Sequence, residues 1–318
     1  MTSYEHDVGE DAQGGDRLDK YISDKLRLFS RSQIKRRVVR VLVNGLESKL
    51  SRKIKTGDHL EILYTEPPSP DVRPEAIELD ILYEDANVAV INKPQGMVVH
   101  PGKGRHSGTL VNALLFRCEG MAARFPEEYL RPGIVHRLDK DTSGVIITAR
   151  NIETHNFLAR QFSKRRIRKT YLAIVKGSPP HSRGIIETQI KRNPYHRKRF
   201  TACQAGGRVA VTAYKVLRSF PGYSFIALRP NTGRTHQLRV HALHMGCPVL
   251  GDPIYSRRDR VFPEATLMLH AYKLEVVLPP LHSGEPSNGV YGQFRRKTFK
   301  APVPSRFKEI LGRLARPG

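Results

Sequence analysis

The chain has 318 residues, no tryptophan, and 54 Lys+Arg against 30 Asp+Glu, a formal net charge of +24. A hydrophobic share of 39% can build a core, which excludes wholesale disorder, and no run approaches about 20 consecutive apolar residues, which excludes a transmembrane helix. The three cysteines (Cys118, Cys203, Cys247) are too far apart for a CxxC pair, and no basic-then-apolar leader opens the chain, so a reducing, cytoplasmic setting is expected.

Residues 1–14 carry four acids and no lysine or arginine, and a flexible acidic tail is expected there. A compact unit is expected over 15–65. Asp16 can cap a helix whose apolar residues Leu18, Ile22 and Leu26 recur every four positions. Ser30 and Gln33 form a capping box that opens a second helix through SRSQIKRRVV. Val41-Leu42-Val43 reads as a strand, Asn44-Gly45 as a tight turn, and 59–64 as a further strand. The window 27–55 holds ten basic residues and one acid. Surfaces this basic attract polyanions by releasing condensed counterions. This order of elements resembles the S4 RNA-binding module. The resemblance implies that Arg31, Lys35 and Arg36 face RNA phosphate.

Pro67, Pro68, Pro70 and Pro74 crowd the next stretch, so 66–75 is expected to be an extended linker and the domain boundary. From 76 to 318 short β-rich runs alternate with amphipathic helices. ILYEDANVAVINKP reads as two strands joined at a turn, and 143–149, 170–175, 209–216 and 223–228 read as further strands. Asn151 can cap a helix through Phe162. Thr235 can cap another through Leu243, stopped by Gly246. A second basic window, 160–200, holds thirteen basic residues and one acid. The expected class is α+β around a mixed, mostly antiparallel sheet with flanking helices, behind a small RNA-binding domain.

The densest polar cluster is HRLDKDTSG at 136–144, a histidine, two cations and two carboxylates just before an apolar strand. A carboxylate held among cations stays ionised at neutral pH and can act as nucleophile or base. Spacing alone does not say which carboxylate matters. An aspartic-protease reading of DTSG fails, because that chemistry needs two D-[ST]-G segments and only one segment occurs, in altered order. His236, His241 and His244 share a predicted helix at spacings of five and three, which does not suit a zinc site.

HRLDKDTSG is similar to the signature of the RluA-type pseudouridine synthases. INKPQGMVVHP (91–101), KTYLAIVKG (169–177), TGRTHQLRVHALHMGCPVLGDPIY (232–255) and APVPSRFKEIL (301–311) agree with that family in the same order. With an S4-like module in front, the chain resembles the subgroup acting on large-subunit ribosomal RNA. The resemblance implies that Asp139 is the catalytic aspartate, that Tyr171 stacks on the extruded base, and that Arg234 pairs with Asp139. It further implies that Arg137 fills the gap left in the RNA stack, and that Lys93 and Pro94 buttress the catalytic loop from the substrate side. His136 and Leu250 are expected on the substrate side. Pseudouridine formation is an isomerisation, so no cofactor and no metal is expected, and neither a GxGxxG nor a Walker loop occurs. The expected partner is RNA rather than a membrane, bound by a monomer. Transfer RNA or another RNA is the alternative substrate, and a non-catalytic ribosome-assembly factor the alternative function. The stretch 280–300 is longer than the family pattern suggests.

Overall fold

The computed structural model describes residues 1–10, 12, 15–26, 28–29, 33–34, 37–65, 72–102, 106–125, 131–196, 198–280 and 294–316. It divides into two compact units, 1–71 and 72–318.

In the first unit a four-stranded antiparallel sheet runs in the order β1-β4-β2-β3, with β1 Thr2–Asp7, β2 Val38–Val43, β3 Leu46–Glu47 and β4 His59–Tyr64. Asn44 and Gly45, both at positive φ, make the β2–β3 turn. The core is Leu18, Ile22, Val41, Val43, Leu60 and Ile62. Leu18 and Ile22 come from α1, Leu18–Lys20, which widens into a π-helical turn over Tyr21–Lys25. Arg17, not Asp16, occupies the cap position.

The expected flexible tail is instead a strand. β1 pairs with the whole of β4, and His59 Nδ1 meets Asp7 Oδ1 at 2.7 Å. TSYEHD lacks an apolar alternation, so backbone pairing to an apolar neighbour, invisible in the local pattern, decides its state. Ser30, which would cap the second basic helix, lies outside the described residues, as do Arg31, Lys35 and Arg36.

The second unit is built on a ten-stranded sheet among the described residues. Its strands are β5 Ile81–Glu84, β6 Val88–Lys93, β7 Ser143–Ala149, β8 Arg168–Lys176, β9 Arg183–Arg192, β10 Phe200–Cys203, β11 Arg208–Phe220, β12 Tyr223–Pro230, β13 Leu269–Leu278 and β14 Arg295–Lys300. The order is β10-β9-β11-β12-β8-β13-β7-β6-β5, with β14 pairing β13 as well. All pairings are antiparallel except β13 with β7. The helices are α2 Leu110–Arg117, α3 Met121–Arg124, α4 Ile152–Ser163, α5 Gln237–His244 and α6 Ser305–Leu314. Asn151 caps α4 by accepting from Thr154 N at 2.8 Å.

Two apolar clusters fill the sheet's two halves. One gathers β6 and β7 with α2, and the other gathers β8 and β12 with α5 and α6. Tyr171 packs against both, so it stands at their seam. The parallel β7–β13 pair is at that seam too. Gly144 has φ +113°, and a Cβ there would run into the Ala271 carbonyl of β13. The segment entering β7 therefore has to end in glycine, and HRLDKDTSG is held as a loop where the two half-sheets meet.

Candidate active site

The loop before β7, the end of α4, the start of β8 and the segment 230–239 enclose a cavity of about 580 Å³. That is an ordinary size for a ligand pocket. Arg137, Arg165, Lys169, Arg234 and Arg239 line it, and Asp139 is the one carboxylate among the described lining residues. The Asp139 side chain is 23% exposed, so it is reachable from the cavity.

The cation at Asp139 is Arg239. Its Nη1 lies 3.4 Å from Asp139 Oδ2. The rest of the guanidinium is clamped on Asp252, with Nε to Oδ2 and Nη2 to Oδ1 both at 2.7 Å. Asp252 also accepts from the backbone N–H groups of Ile254 and Tyr255 at 2.9 and 3.0 Å. The Arg239 side chain is 4% exposed and that of Asp252 fully buried. A fork held this way is oriented before any substrate arrives.

His236 precedes α5 in the left-handed region, φ +58°. Its Nδ1 meets Tyr255 Oη at 2.8 Å, and its Nε2 stands 4.0 Å from Asp139 Oδ2. Burial lowers its pKa, with Asp139 pulling the other way. A non-glycine residue held at positive φ is costly and tends to occur where the surroundings demand it. The expected cap, Thr235, makes no side-chain cap. The turn is organised by Gln237, whose Oε1 accepts from Thr232 Oγ1 and Arg234 N, and whose Nε2 donates to Val211 O.

Tyr171 lines the cavity from β8. Burial raises its hydroxyl pKa and the negative charge of Asp139 adds to the rise, so the ring stays a neutral phenol. His136 lines the same cavity and is stacked on Phe162, centroids 4.5 Å apart. Its Nε2 accepts from Ile147 N at 3.1 Å, and burial drives its pKa down to about 3. It is therefore a neutral ring at neutral pH that locks the loop to β7. Arg137 is exposed, touching only His100 Nε2, at 3.4 Å, among the described residues.

Three sequence expectations are corrected by this geometry. Arg234 lines the cavity, but its Nε donates to Val209 O at 3.0 Å, and among the described ion pairs Asp139 meets Arg239 and His236 instead. TGRTHQLRVH contains two arginines. The second lies one helical turn inside α5 and points to the loop, whereas the first sits on the turn and follows β11. Leu250 does not line the cavity. It is fully buried, bonded through its N–H to Ile174 O, and the apolar walls come from Leu138, Leu238 and Leu269. Lys93 and Pro94 are not cavity residues either. Lys93 is fully buried behind the loop and its Nζ donates to Pro94 O, Met97 O and Lys140 O at 2.8, 2.8 and 3.0 Å. Gly96 N and Gln95 Nε2 reach Lys140 O and Asp141 O at 2.9 and 3.0 Å. The buttress is thus a strap of hydrogen bonds on the loop's far side.

Asp252, Arg239 and Tyr255 were not singled out from the sequence, and His236 was weighed only as one of three histidines that do not suit a zinc site. The available signal was an arginine flanked by Leu238 and Val240 inside an apolar helix. A buried guanidinium needs a carboxylate, and GDPIY follows shortly after.

A family model described as RNA pseudouridylate synthase matches residues 87–244. The chain is 48% identical over 266 residues to "Ribosomal large subunit pseudouridine synthase D" of Borreliella burgdorferi, covering 82% of each protein. It is 41% identical to the protein of the same name from Buchnera aphidicola, covering 77% of this chain and 76% of that one. Among solved structures, "Human RNA Pseudouridylate Synthase Domain Containing 4" aligns with a TM-score of 0.55 at 27% identity, covering 75% of this chain and 95% of that one.

The chain belongs to the RNA pseudouridylate synthase family.

As a pseudouridine synthase it is an isomerase that converts uridine to pseudouridine. The site is compatible with an isomerisation, with Asp139 held beside a fixed guanidinium at the cavity. In this synthase the orientation depends on the strap behind the loop. Burial lowers the Lys93 pKa from 10.5 to about 8, opposed by Asp141 and Asp139. At pH values between those two numbers the unfolded chain holds a proton that the fold has lost, so this group makes stability rise with pH across that window. Lys93→Met removes the effect. The difference in unfolding free energy between wild type and variant should grow by roughly 2–3 kcal/mol between about pH 7 and about pH 10. Urea unfolding at both pH values checks this, and a constant difference would contradict it.

Proposed function

We propose that this synthase isomerises specific uridines of large-subunit ribosomal RNA, in the cytoplasm and as a monomer, by drawing the target base into the cavity and using Asp139. The observation that carries the reading is a single carboxylate among the described lining residues, beside Arg239, in a cavity that four further cations line and a neutral phenol borders. The substrate class follows the names of the two relatives.

The reaction breaks the bond between ribose C1′ and uracil N1, turns the base and joins C1′ to C5. The proton on C5 is lost and N1 gains one, so composition is unchanged and no co-substrate is consumed. Inside folded RNA the base is stacked, and it has to leave the stack at a cost of a few kcal/mol. Stacking on the Tyr171 ring offsets part of that. Arg137, exposed at the rim, can fill the vacated gap. The Asp139 carboxylate can attack C1′, attack C6 of the base, or take a ribose proton, and each path needs the same ionised oxygen facing the cavity.

We assign RNA binding to the first unit as well, as an S4-like module. Its support is the strand–turn–strand order around Asn44-Gly45 and the basic window 27–55.

The function is tested by tritium release from RNA carrying 5-tritiated uridine. Asp139→Asn should lower the single-turnover rate at least about 1000-fold while RNA affinity stays within about threefold. Substantial residual release would show that another group does the chemistry, and release from transfer RNA alone would overturn the substrate class. For the first unit, residues 72–318 alone should bind RNA more weakly and with a shallower dependence of log Kd on log salt, yet still release tritium. An unchanged slope would remove the module from RNA binding.

A further inference from the structure

Beside the catalytic cavity a second groove of about 610 Å³ runs between α4 and the β13–β14 pair. Its cations are Arg165, Arg166, Arg168 and Arg296, all exposed. Among the described residues none of these four guanidiniums makes a side-chain hydrogen bond or an ion pair within 4 Å. The one acid in the groove, Glu275, is already engaged by Lys273 Nζ at 2.6 Å. Four unpaired guanidiniums in one groove repel each other, and a bound polyanion relieves that repulsion.

The groove also holds an aromatic platform. Phe294 is 64% exposed, and Phe157 of α4 stacks on it with centroids 5.5 Å apart and planes 14° from parallel. With Phe157 stacked against it, the Phe294 ring still keeps most of its surface exposed. An exposed ring rimmed by arginines is the arrangement on which nucleobases stack regardless of sequence. The floor is rigid, since Gln161 of α4 donates from Nε2 to Val277 O and accepts from Val277 N at Oε1, at 2.8 and 3.2 Å.

The groove adjoins the catalytic cavity at Arg165, which lines both. Its backbone is left-handed, φ +55°, in the turn that leads from α4 into β8.

We propose that this groove is a second RNA subsite, holding an unpaired nucleotide that flanks the target uridine, with its base on Phe294 and the adjoining phosphates on Arg165, Arg166, Arg168 and Arg296. The inference rests on the reading of this protein as an RNA-modifying enzyme and adds where its substrate strand runs. An acidic protein segment would satisfy the arginines but would leave the aromatic platform unused.

The test uses the full chain and tritiated fragments of large-subunit ribosomal RNA, shortened from each end to the minimum that still turns over. Affinity is read by fluorescence anisotropy on labelled fragments and tritium release in parallel. Phe294→Ala should bind the long fragment about tenfold more weakly. Trimming one flank should cost the wild type a similar factor and cost the variant nothing further. The triple variant Arg166→Gln, Arg168→Gln, Arg296→Gln should reduce the slope of log Kd against log salt by about two. A Phe294→Ala protein that binds long RNA like wild type overturns the subsite. A loss that is equal on long and trimmed RNA also overturns it, because it places the damage in the cavity. If the triple variant loses binding of polyglutamate and keeps its RNA affinity and slope, the groove belongs to an acidic protein. Absence of tritium release by the wild type would strike the activity alone, and the affinity comparison would still decide the groove.

Discussion

Arg239 stands between two carboxylates, and its grip on Asp252 is the interaction from which the site is built. A buried guanidinium is destabilising unless its charge and its hydrogen bonds are met. Asp252 meets two of its nitrogens and is itself held by two backbone N–H groups. The remaining Nη1 is therefore aimed rather than floating, and Asp139 lies in its path. The strained His236 makes sense in this light. Its left-handed turn starts α5 so that residue 239, one turn on, faces the loop. Tyr255, three positions past Asp252, closes the arrangement by contacting His236 through its hydroxyl and accepting from Phe200 N.

The loop that carries Asp139 is fixed from behind by groups that do not line the cavity. Lys93, Gln95 and Gly96 bind three loop carbonyl contacts, and Gly144 presses the loop's end against β13. Ser143 is pinned further by His270 Nδ1 at 2.9 Å and by Arg306 Nη2 at 2.6 Å, so the terminal helix also reports to the loop. The loop thus has a polar strap on one side and a cationic cavity on the other. The positive charge that lines the cavity attracts a polyanion toward it.

How much of this was legible in the sequence depended on where the determining interaction lay. Local chemistry was read well. Asn151 caps α4, Gly246 closes α5 at φ +78°, and 143–149 is a strand with every residue buried. The placement of Asp139 and Tyr171 at one cavity was also expected, because both lie in short dense motifs. What failed was long-range. β1 exists because of β4, more than 50 residues away, and nothing in TSYEHD announces it. Choosing between Arg234 and Arg239 needed the helix phase, and that phase is set by His236 adopting a left-handed backbone that Thr235 capping would not give. Leu250 was placed beside the base by its motif, yet PVLGD serves the site through Asp252, while Leu250 itself is packed under β8.

The claim that Arg239 orients the catalytic carboxylate is tested most directly by comparing Arg239→Lys with Arg234→Lys in single-turnover tritium release at saturating RNA. A lysine keeps the charge but cannot hold Asp252 with two nitrogens and reach Asp139 with a third. The account predicts that Arg239→Lys loses at least about 100-fold in rate, and that Arg234→Lys retains most of its own. A near-normal rate in Arg239→Lys with collapse in Arg234→Lys would contradict it and place the working arginine on the turn.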